Sequence, residues 1–136
     1  MTPYCNALIG EGLARSGRVQ EGMNLVGEAL DQIGRPGWEE RVCQAEVLRL
    51  QGEIYVQQGN LDQAEQLYRM SLHVSRQQEA KSWELRGATS FARLLQRRGR
   101  QEEARKVLGS VLAWFREGFD TRDVRQATEL LADLAG

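Results

Sequence analysis

Gly59-Asn60-Leu61-Asp62-Gln63-Ala64 is one of three similar segments from which the helical organisation of this chain can be predicted. The other two are Gly17-Arg18-Val19-Gln20-Glu21-Gly22 and Gly99-Arg100-Gln101-Glu102-Glu103-Ala104, and the three begin 42 and then 40 residues apart. In each segment the glycine suits the left-handed conformation that ends a helix. The acidic and Gln residues that follow favour the first turn of a new helix. The segments therefore predict three helix–turn–helix units.

Apolar residues recur at three- and four-residue steps on both sides of each turn, as in amphipathic helices, and no stretch alternates like a β-strand. The pattern predicts helices over 3–16, 19–33, 38–58, 61–79, 81–98 and 101–117. A seventh helix is expected after Asp120-Thr121, a good N-cap pair, with an apolar face formed by Val124, Ala127, Leu131 and Leu134. The predicted fold is all-α: a superhelical array of antiparallel helix pairs with a C-terminal capping helix.

The chain contains 14 Gly against 2 Pro, a surplus of glycine that needs a structural reason. Gly10 and Gly52 each lie seven residues before a turn glycine, on the predicted inward face of a helix. The partner helices carry the small residues Gly22, Ala64 and Ala104 opposite them. Glycine inside a helix costs about 1 kcal/mol relative to alanine. We therefore expect close helix–helix contacts at these positions as the compensation.

Composition excludes several functional classes. The net charge of −1 and the pI of 5.9 argue against nucleic-acid binding, which typically goes with a pI above about 9. The apolar run 111–115 is far too short to span a membrane, and the first four residues do not resemble a signal peptide. Cys5 and Cys43 belong to no metal-binding or redox motif and are expected as reduced, buried thiols. The sequence predicts a cytoplasmic protein that binds neither membrane nor nucleic acid.

The small-residue positions resemble the tetratricopeptide repeat (TPR) pattern, W-x2-L-G-x2-Y followed by A-x3-F. The unit around Gly59 matches best, with Leu48-x2-Gln51-Gly52-x2-Tyr55 and then Ala64-x3-Tyr68. No unit carries the opening Trp, and the period is 40–42 residues rather than 34. The longer period resembles the TPR variety of kinesin light chains and bacterial signalling ATPases. The resemblance implies a single TPR domain over 1–136, with repeats at about 3–36, 38–79 and 81–117 and a capping helix at about 121–135.

A narrower resemblance is carried by residues 48–53, 80–90 and 114–121. These stretches look like the C-terminal TPR region of bacterial predicted ATPases, proteins that often carry an adenylate/guanylate cyclase domain. The resemblance implies that the chain is the tail of such a signalling protein or a separately encoded relative. The chain has no G-x4-GK[ST] phosphate-binding loop, so the nucleotide chemistry of those proteins is not transferred to it.

Catalytic groups are not evident. His73 is the only histidine and has no evident Ser or Cys partner, so it is expected as a solvent-exposed helix residue. No pair of carboxylates stands isolated in an apolar setting, as acid–base catalysis requires. The sequence predicts a protein that is not an enzyme, with no cofactor and no metal site.

TPR geometry implies a concave groove lined by the first helix of each pair, which binds a protein or peptide. The expected groove residues come from all three units: Tyr4, Glu11, Arg15, Glu46, Arg49, Glu53, Gln57, Arg86, Thr89, Arg93, Gln96 and Arg97. The groove becomes basic at the third unit, which favours an acidic segment there. Unit one has Glu11 where the carboxylate clamp of chaperone-binding TPRs requires Asn, so binding of chaperone tails is not expected.

Alternatives remain at this point. The basic cluster Arg93, Arg97, Arg98, Arg100, Arg105 and Lys106 is also consistent with a solvated helix end. The aromatic residues Trp83, Trp114, Phe115 and Phe119 are expected in the core between repeats rather than on a ligand platform. Besides a scaffold for other proteins, the chain could be a self-associating module, forming a homodimer or binding another domain of the same protein. It could also be a regulatory domain that binds a small effector.

Overall fold

The computed structural model describes residues 3–33, 44–115 and 121–135, all of it helices joined by short turns. The helices are α1 (Pro3–Arg15), α2 (Val19–Ile33), α3 (Gln44–Gln57), α4 (Leu61–Gln77), α5 (Lys81–Arg97), α6 (Gln101–Leu112) and α7 (Arg122–Ala135). Within the described ranges, no helix combines the length and the hydrophobicity of a membrane-spanning segment. The predicted all-α class is confirmed.

The helices pack as pairs in a stacked array. Helix α1 pairs with α2, α3 with α4, and α5 with α6, and the short turns make each pair antiparallel. The first helices of the pairs also contact one another in the order α1, α3, α5, and α7 continues this row against α5. We call the surface formed by α1, α3, α5 and α7 the inner face.

The turn within each pair closes in the same way. Gly17, Gly59 and Gly99 have φ angles of 96°, 80° and 79°, in the left-handed region that favours glycine. In each turn the next amide donates to a carbonyl five residues earlier, at 2.8–2.9 Å, as in a Schellman motif. The turn between α4 and α5 makes the same bond, but Glu79 occupies the left-handed position with a φ of 54°. The sequence pattern predicted a break there without identifying this conformation.

Two clusters of buried side chains form the core. The larger lies among α4, α5, α6 and α7, and includes the fully buried Tyr68 and Phe91. The smaller joins α1 and α2 to α3 through Val26 and Ile54. Helix α7 buries Leu130 along with two of the residues predicted for its apolar face, Ala127 and Leu134. Val124 and Leu131, also predicted there, are only partly buried against the core.

The close contact expected between Gly10 and Gly22 is confirmed, whereas the atoms nearest to Gly52 belong to Tyr68 rather than to the predicted Ala64. A Cβ atom added to Gly10 would lie 2.7 Å from the carbonyl oxygen of Gly22, and one added to Gly22 would lie 2.2 Å from that of Gly10. A Cβ on Gly52 would lie 2.7 Å from the ring of Tyr68. Real Cβ contacts are longer than these distances, so the backbones of α1 and α2 approach closely only because both residues are glycine.

The ends of α1, α3, α4 and α5 lie within two residues of the predicted positions, but the end of α6 does not. Helix α6 ends at Leu112 instead of 117, because the following amides of Trp114 and Phe115 bond carbonyls three residues back and tighten the chain into a turn. The predicted start of α3, at 38, lies outside the described residues, as does Phe119. The side chains of Cys5 and Cys43 also lie outside them.

The expectation that Trp114 belongs to the core is wrong, because 51% of its surface is exposed. It contacts Phe115 edge-on, with 5.2 Å between ring centroids, and Lys81 lies 5.4 Å from its ring centroid. Phe115 is partly buried against the larger core cluster, and Trp83 is partly buried beneath the guanidinium of Arg86.

We predict that Gly22→Ala lowers the free energy of unfolding by about 1–3 kcal/mol, because the added methyl group overpacks the contact with Gly10. Gly27 lies on the same helix with open space around it. Gly27→Ala is therefore the matched control and should raise the free energy of unfolding by up to about 1 kcal/mol through helix propensity. Urea unfolding followed by circular dichroism measures both. Equal effects of the two substitutions would contradict the close contact.

Candidate functional site

A polar cavity of about 310 Å³ opens on the inner face, and we call it the inner cavity. Helices α1, α3, α5 and α7 all contribute to it, with the lining residues Arg15, Arg49, Glu53, Arg86, Thr89, Ser90, Arg93, Arg122, Asp123 and Gln126. Six of the predicted groove residues are thus brought together: Arg15, Arg49, Glu53, Arg86, Thr89 and Arg93. The cavity contains five arginines and no lysine, a composition suited to planar oxyanions such as carboxylates.

A buried carboxylate lies beneath this cavity. Glu46 is 1% exposed, forms an ion pair with Arg49 on the next turn of α3, and contacts Arg86 of α5 at 3.2 Å. Burial opposes the positive charge of Arg49, but the hydrogen bond and charge of Glu46 outweigh it and raise the pKa of the guanidinium. The same guanidinium contacts Glu53 at 3.4 Å and donates to the hydroxyl of Ser90 at 3.2 Å. Arg49 therefore serves to join α3 to α5.

Arg86 extends this chain of charges to α7. Its Nε donates to Asp123 at 3.1 Å, while its Nη1 donates to Glu46. Burial lowers its pKa, but the charges of Glu46 and Asp123 outweigh burial and raise it. The sequence pattern missed the α7 residues of the cavity, since α7 was expected only to cover the end of the array. The signal in the sequence that could have indicated these residues is the charged pair Arg122 and Asp123 at the start of the capping helix.

Other predicted groove residues have local partners or lie elsewhere. Glu11 is buried on α1 and pairs with Arg15 one turn later. Thr89 donates to the carbonyl of Leu85 in its own helix at 2.8 Å, and Gln96 donates to Asp133 of α7 at 3.0 Å.

Two predicted groove residues, Tyr4 and Gln57, remain, and of these the described Gln57 does not line the inner cavity. Tyr4 belongs to α1, but its side chain lies outside the described part of the chain. Gln57 is exposed at the last position of α3.

The basic cluster of the sequence divides between two surfaces. Arg98 and Arg100 lie with Arg69 beside carboxylates of α4 and α6, in what we call the lateral network: Asp62, Glu65, Arg69, Arg98, Arg100 and Glu103. Arg105 pairs with Glu102 at 2.6 Å. Solvated, paired helix ends are therefore the correct description of this part of the cluster. Arg93 and Arg97 instead lie on α5 toward the inner face.

Among the residues that the structure describes, Arg93, Arg97 and Arg122 form no ion pair, and Arg93 and Arg122 line the inner cavity. The other three arginines of the cavity, Arg15, Arg49 and Arg86, are each paired with a carboxylate. The cavity is therefore lined by three arginines that are paired with carboxylates and by two, Arg93 and Arg122, that are available to an anionic ligand.

A second, smaller cavity of about 150 Å³ adjoins the first, and we call it the tyrosine pocket. Its lining residues are Glu53, Val56, Tyr68, Ser90, Arg93, Leu94 and Arg97. Burial and the negative charge of the neighbouring Glu53 raise the pKa of Tyr68. The phenol is therefore neutral at any physiological pH.

A larger cavity, about 910 Å³, borders the inner cavity at Asp123 and is lined by residues of α4, α5 and α7 and the turn after α6. Its cations Arg76 and Lys81 both contact Glu84, at 2.9 and 3.3 Å, and the aromatic face of Trp114 borders it. Because these cations are already paired, the inner face is the stronger candidate for an anionic ligand. No group of three potential metal ligands occurs within the described ranges, and His73 is exposed on α4.

The lateral network makes stability depend on pH. Burial favours the neutral form of Glu65, but hydrogen bonds from Arg69 and Arg100 outweigh it and hold the pKa of Glu65 below its usual 4.5. A carboxylate with a lowered pKa stabilises the fold above the unfolded-state pKa, and this stabilisation is lost as the pH falls through the folded-state pKa. Protonation of Glu65 below its usual pKa therefore weakens the contacts between α4 and the start of α6.

We predict that Glu65→Gln reduces the loss of unfolding free energy between about pH 7 and about pH 3, because it removes one group with a lowered pKa. Urea unfolding at the two pH values measures the difference. Glu129→Gln, at an exposed position of α7, is the control and should leave the pH dependence unchanged. An identical pH dependence in wild type and Glu65→Gln would contradict the prediction.

Comparison with known proteins identifies one matching family and similar solved structures. Residues 43–117 match the family model of the tetratricopeptide repeat. No curated protein matches the chain. One similar solved structure is described as a kinesin light chain from Podospora anserina with nearly identical TPR-like repeats. It has 14% sequence identity and a TM-score of 0.48, with 96% of this chain and 84% of that chain covered.

Proposed function

Because this chain belongs to the tetratricopeptide repeat family, we propose that its inner face is a binding site for an acidic segment of a partner protein. TPR repeats generally mediate protein–protein interactions, and their fold is typically a scaffold without catalytic activity. In this function the three helix pairs and α7 act as one domain that presents the inner face. The observation that carries it is the pair of cations, Arg93 and Arg122, that lack an ion-pair partner in the described structure and line the same polar cavity.

The paired arginines support the same function in a different way. Arg49 and Arg86 are held by Glu46, and Arg86 is also held by Asp123, so both guanidinium groups are fixed before a ligand arrives. A receptor whose polar groups are already ordered loses little conformational entropy on binding. Arg93 and Arg122 can then form charge-assisted hydrogen bonds with ligand carboxylates, which are stronger than neutral ones.

We predict that Arg93→Glu weakens binding of a fluorescein-labelled hexaglutamate peptide at least about tenfold, because it replaces an available cation of the cavity with an anion. Fluorescence anisotropy at an ionic strength of about 0.15 M, where the Debye length is about 8 Å, measures the affinity. Lys106→Glu is the matched control, because it makes the same charge change at an exposed position of α6. It should alter binding by less than about twofold, since charges more than a Debye length apart are screened.

A hexaglutamine peptide tests the need for negative charge and should not bind measurably. Equal effects of Arg93→Glu and Lys106→Glu would mean that the peptide responds only to net charge, and would contradict the assigned site. Failure of hexaglutamate to bind wild-type protein would contradict the proposed function itself. Light scattering on the same samples separates self-association from peptide binding.

We further propose that this binding serves bacterial signalling, as a regulatory segment associated with an ATPase or cyclase. Its support is the sequence resemblance of residues 48–53, 80–90 and 114–121 to the TPR region of such proteins. The coding sequence around this segment tests the proposal. A nucleotide-binding or cyclase domain in the same reading frame or the adjacent gene is the expected finding, and a non-signalling context would contradict it.

A further inference from the structure

We infer that the acidic segment carries a medium-sized aliphatic side chain directly beside its acidic group, and that this side chain enters the tyrosine pocket. The inference rests on the proposed function, since it assigns the sequence preference of the same site. It adds three specificity-determining residues, Val56, Tyr68 and Leu94, that no groove expectation from the sequence included.

The tyrosine pocket has an apolar floor and a cationic rim. Val56 of α3, Tyr68 of α4 and Leu94 of α5 supply the apolar lining. Arg93 and Arg97, one helical turn apart on α5, border the same pocket and form no ion pair with any described residue. A ligand side chain that enters this pocket therefore contacts apolar side chains inside it. Ligand groups just outside the pocket lie near the two positive charges.

The charge of Glu53 determines which ligand group enters. Its carboxylate borders the pocket together with the phenol of Tyr68. A ligand carboxylate inside the pocket would be repelled by Glu53 in surroundings that poorly solvate charge. The acidic group is favoured at the arginine rim, and a neutral, apolar side chain is favoured inside.

The two cavities are close enough for neighbouring ligand residues. Glu53, Ser90 and Arg93 line both the inner cavity and the tyrosine pocket. Consecutive residues of an extended peptide have Cα atoms about 3.8 Å apart, so one can contact Arg93 while the next enters the pocket. A volume of about 150 Å³ suits a Val, Leu or Ile side chain rather than an indole.

Peptides that differ at one position test this preference. The probes are fluorescein-labelled Glu-Glu-X-Glu-Glu peptides with Gly, Leu or Trp at X, measured by anisotropy at one ionic strength. We expect Leu to bind at least about fivefold more tightly than Gly, and more tightly than Trp. If all three bind equally, the inference is wrong while the proposed function stands. If none binds, the proposed function fails as well.

Two matched substitutions locate the preference in the structure. Val56 and Val107 are both partly buried against the same core cluster, but only Val56 lines the pocket. Val56→Ala enlarges the pocket and should shift the preference from Leu toward Trp, by at least about threefold in the ratio of the two affinities. Val107→Ala should leave this ratio unchanged. The ratio is insensitive to a uniform loss of folded protein, and an unchanged ratio in Val56→Ala would contradict the assignment to this pocket.

Discussion

The buried carboxylate of Glu46 is the constraint on which the inner face depends. It is 1% exposed and lies between the guanidinium groups of Arg49 and Arg86. An ionised carboxylate in such a position is tolerated only when it is paired and hydrogen-bonded, and removing one partner of a buried pair costs about 3–5 kcal/mol. Through Arg86 the same charge system reaches Asp123. One carboxylate of α3 thus aligns α5 and α7.

The arginines near the inner face fall into two groups: those that form ion pairs within the fold and those that remain available to a ligand. Arg49 and Arg86 are committed to Glu46, and on the lateral side Arg98 and Arg100 are committed to Glu65. A chain with a net charge of −1 can therefore still present a locally basic surface. The basic character of the inner face comes from the few arginines left without a carboxylate, rather than from the number of arginines near it.

Local features of the fold were predictable because they depend on neighbouring residues. The turns at Gly17, Gly59 and Gly99 follow from the conformational freedom of glycine, and the helices follow from apolar periodicity. The left-handed Glu79 and the early end of α6 were not predictable, because backbone geometry at these points follows from tertiary packing and not from residue type. The same holds for the exposure of Trp114.

The candidate site also contains some features that the sequence predicts and others that depend on tertiary structure. A pair such as Glu46 and Arg49, three residues apart on one helix, can be read from spacing. The contact of Arg86 with Glu46 joins residues 40 apart, and the contribution of Asp123 requires knowing that α7 continues the row of inner helices. The sequence therefore predicted six lining residues but could not distinguish paired from unpaired arginines, which is the property that matters for a ligand.

The spacing between α3 and α5 connects this charge system to ligand selection. Arg49 bonds Ser90 at 3.2 Å and Arg86 contacts Glu46 at 3.2 Å, so two contacts in opposite directions fix the separation of the helices. Val56 lies on one side of that separation and Leu94 on the other, with the ring of Tyr68 held against Gly52. These two contacts between α3 and α5 therefore help to set the width of the tyrosine pocket. Because packing and these contacts between helices hold the walls of the pocket in place, we expect a ligand side chain to be selected by its size.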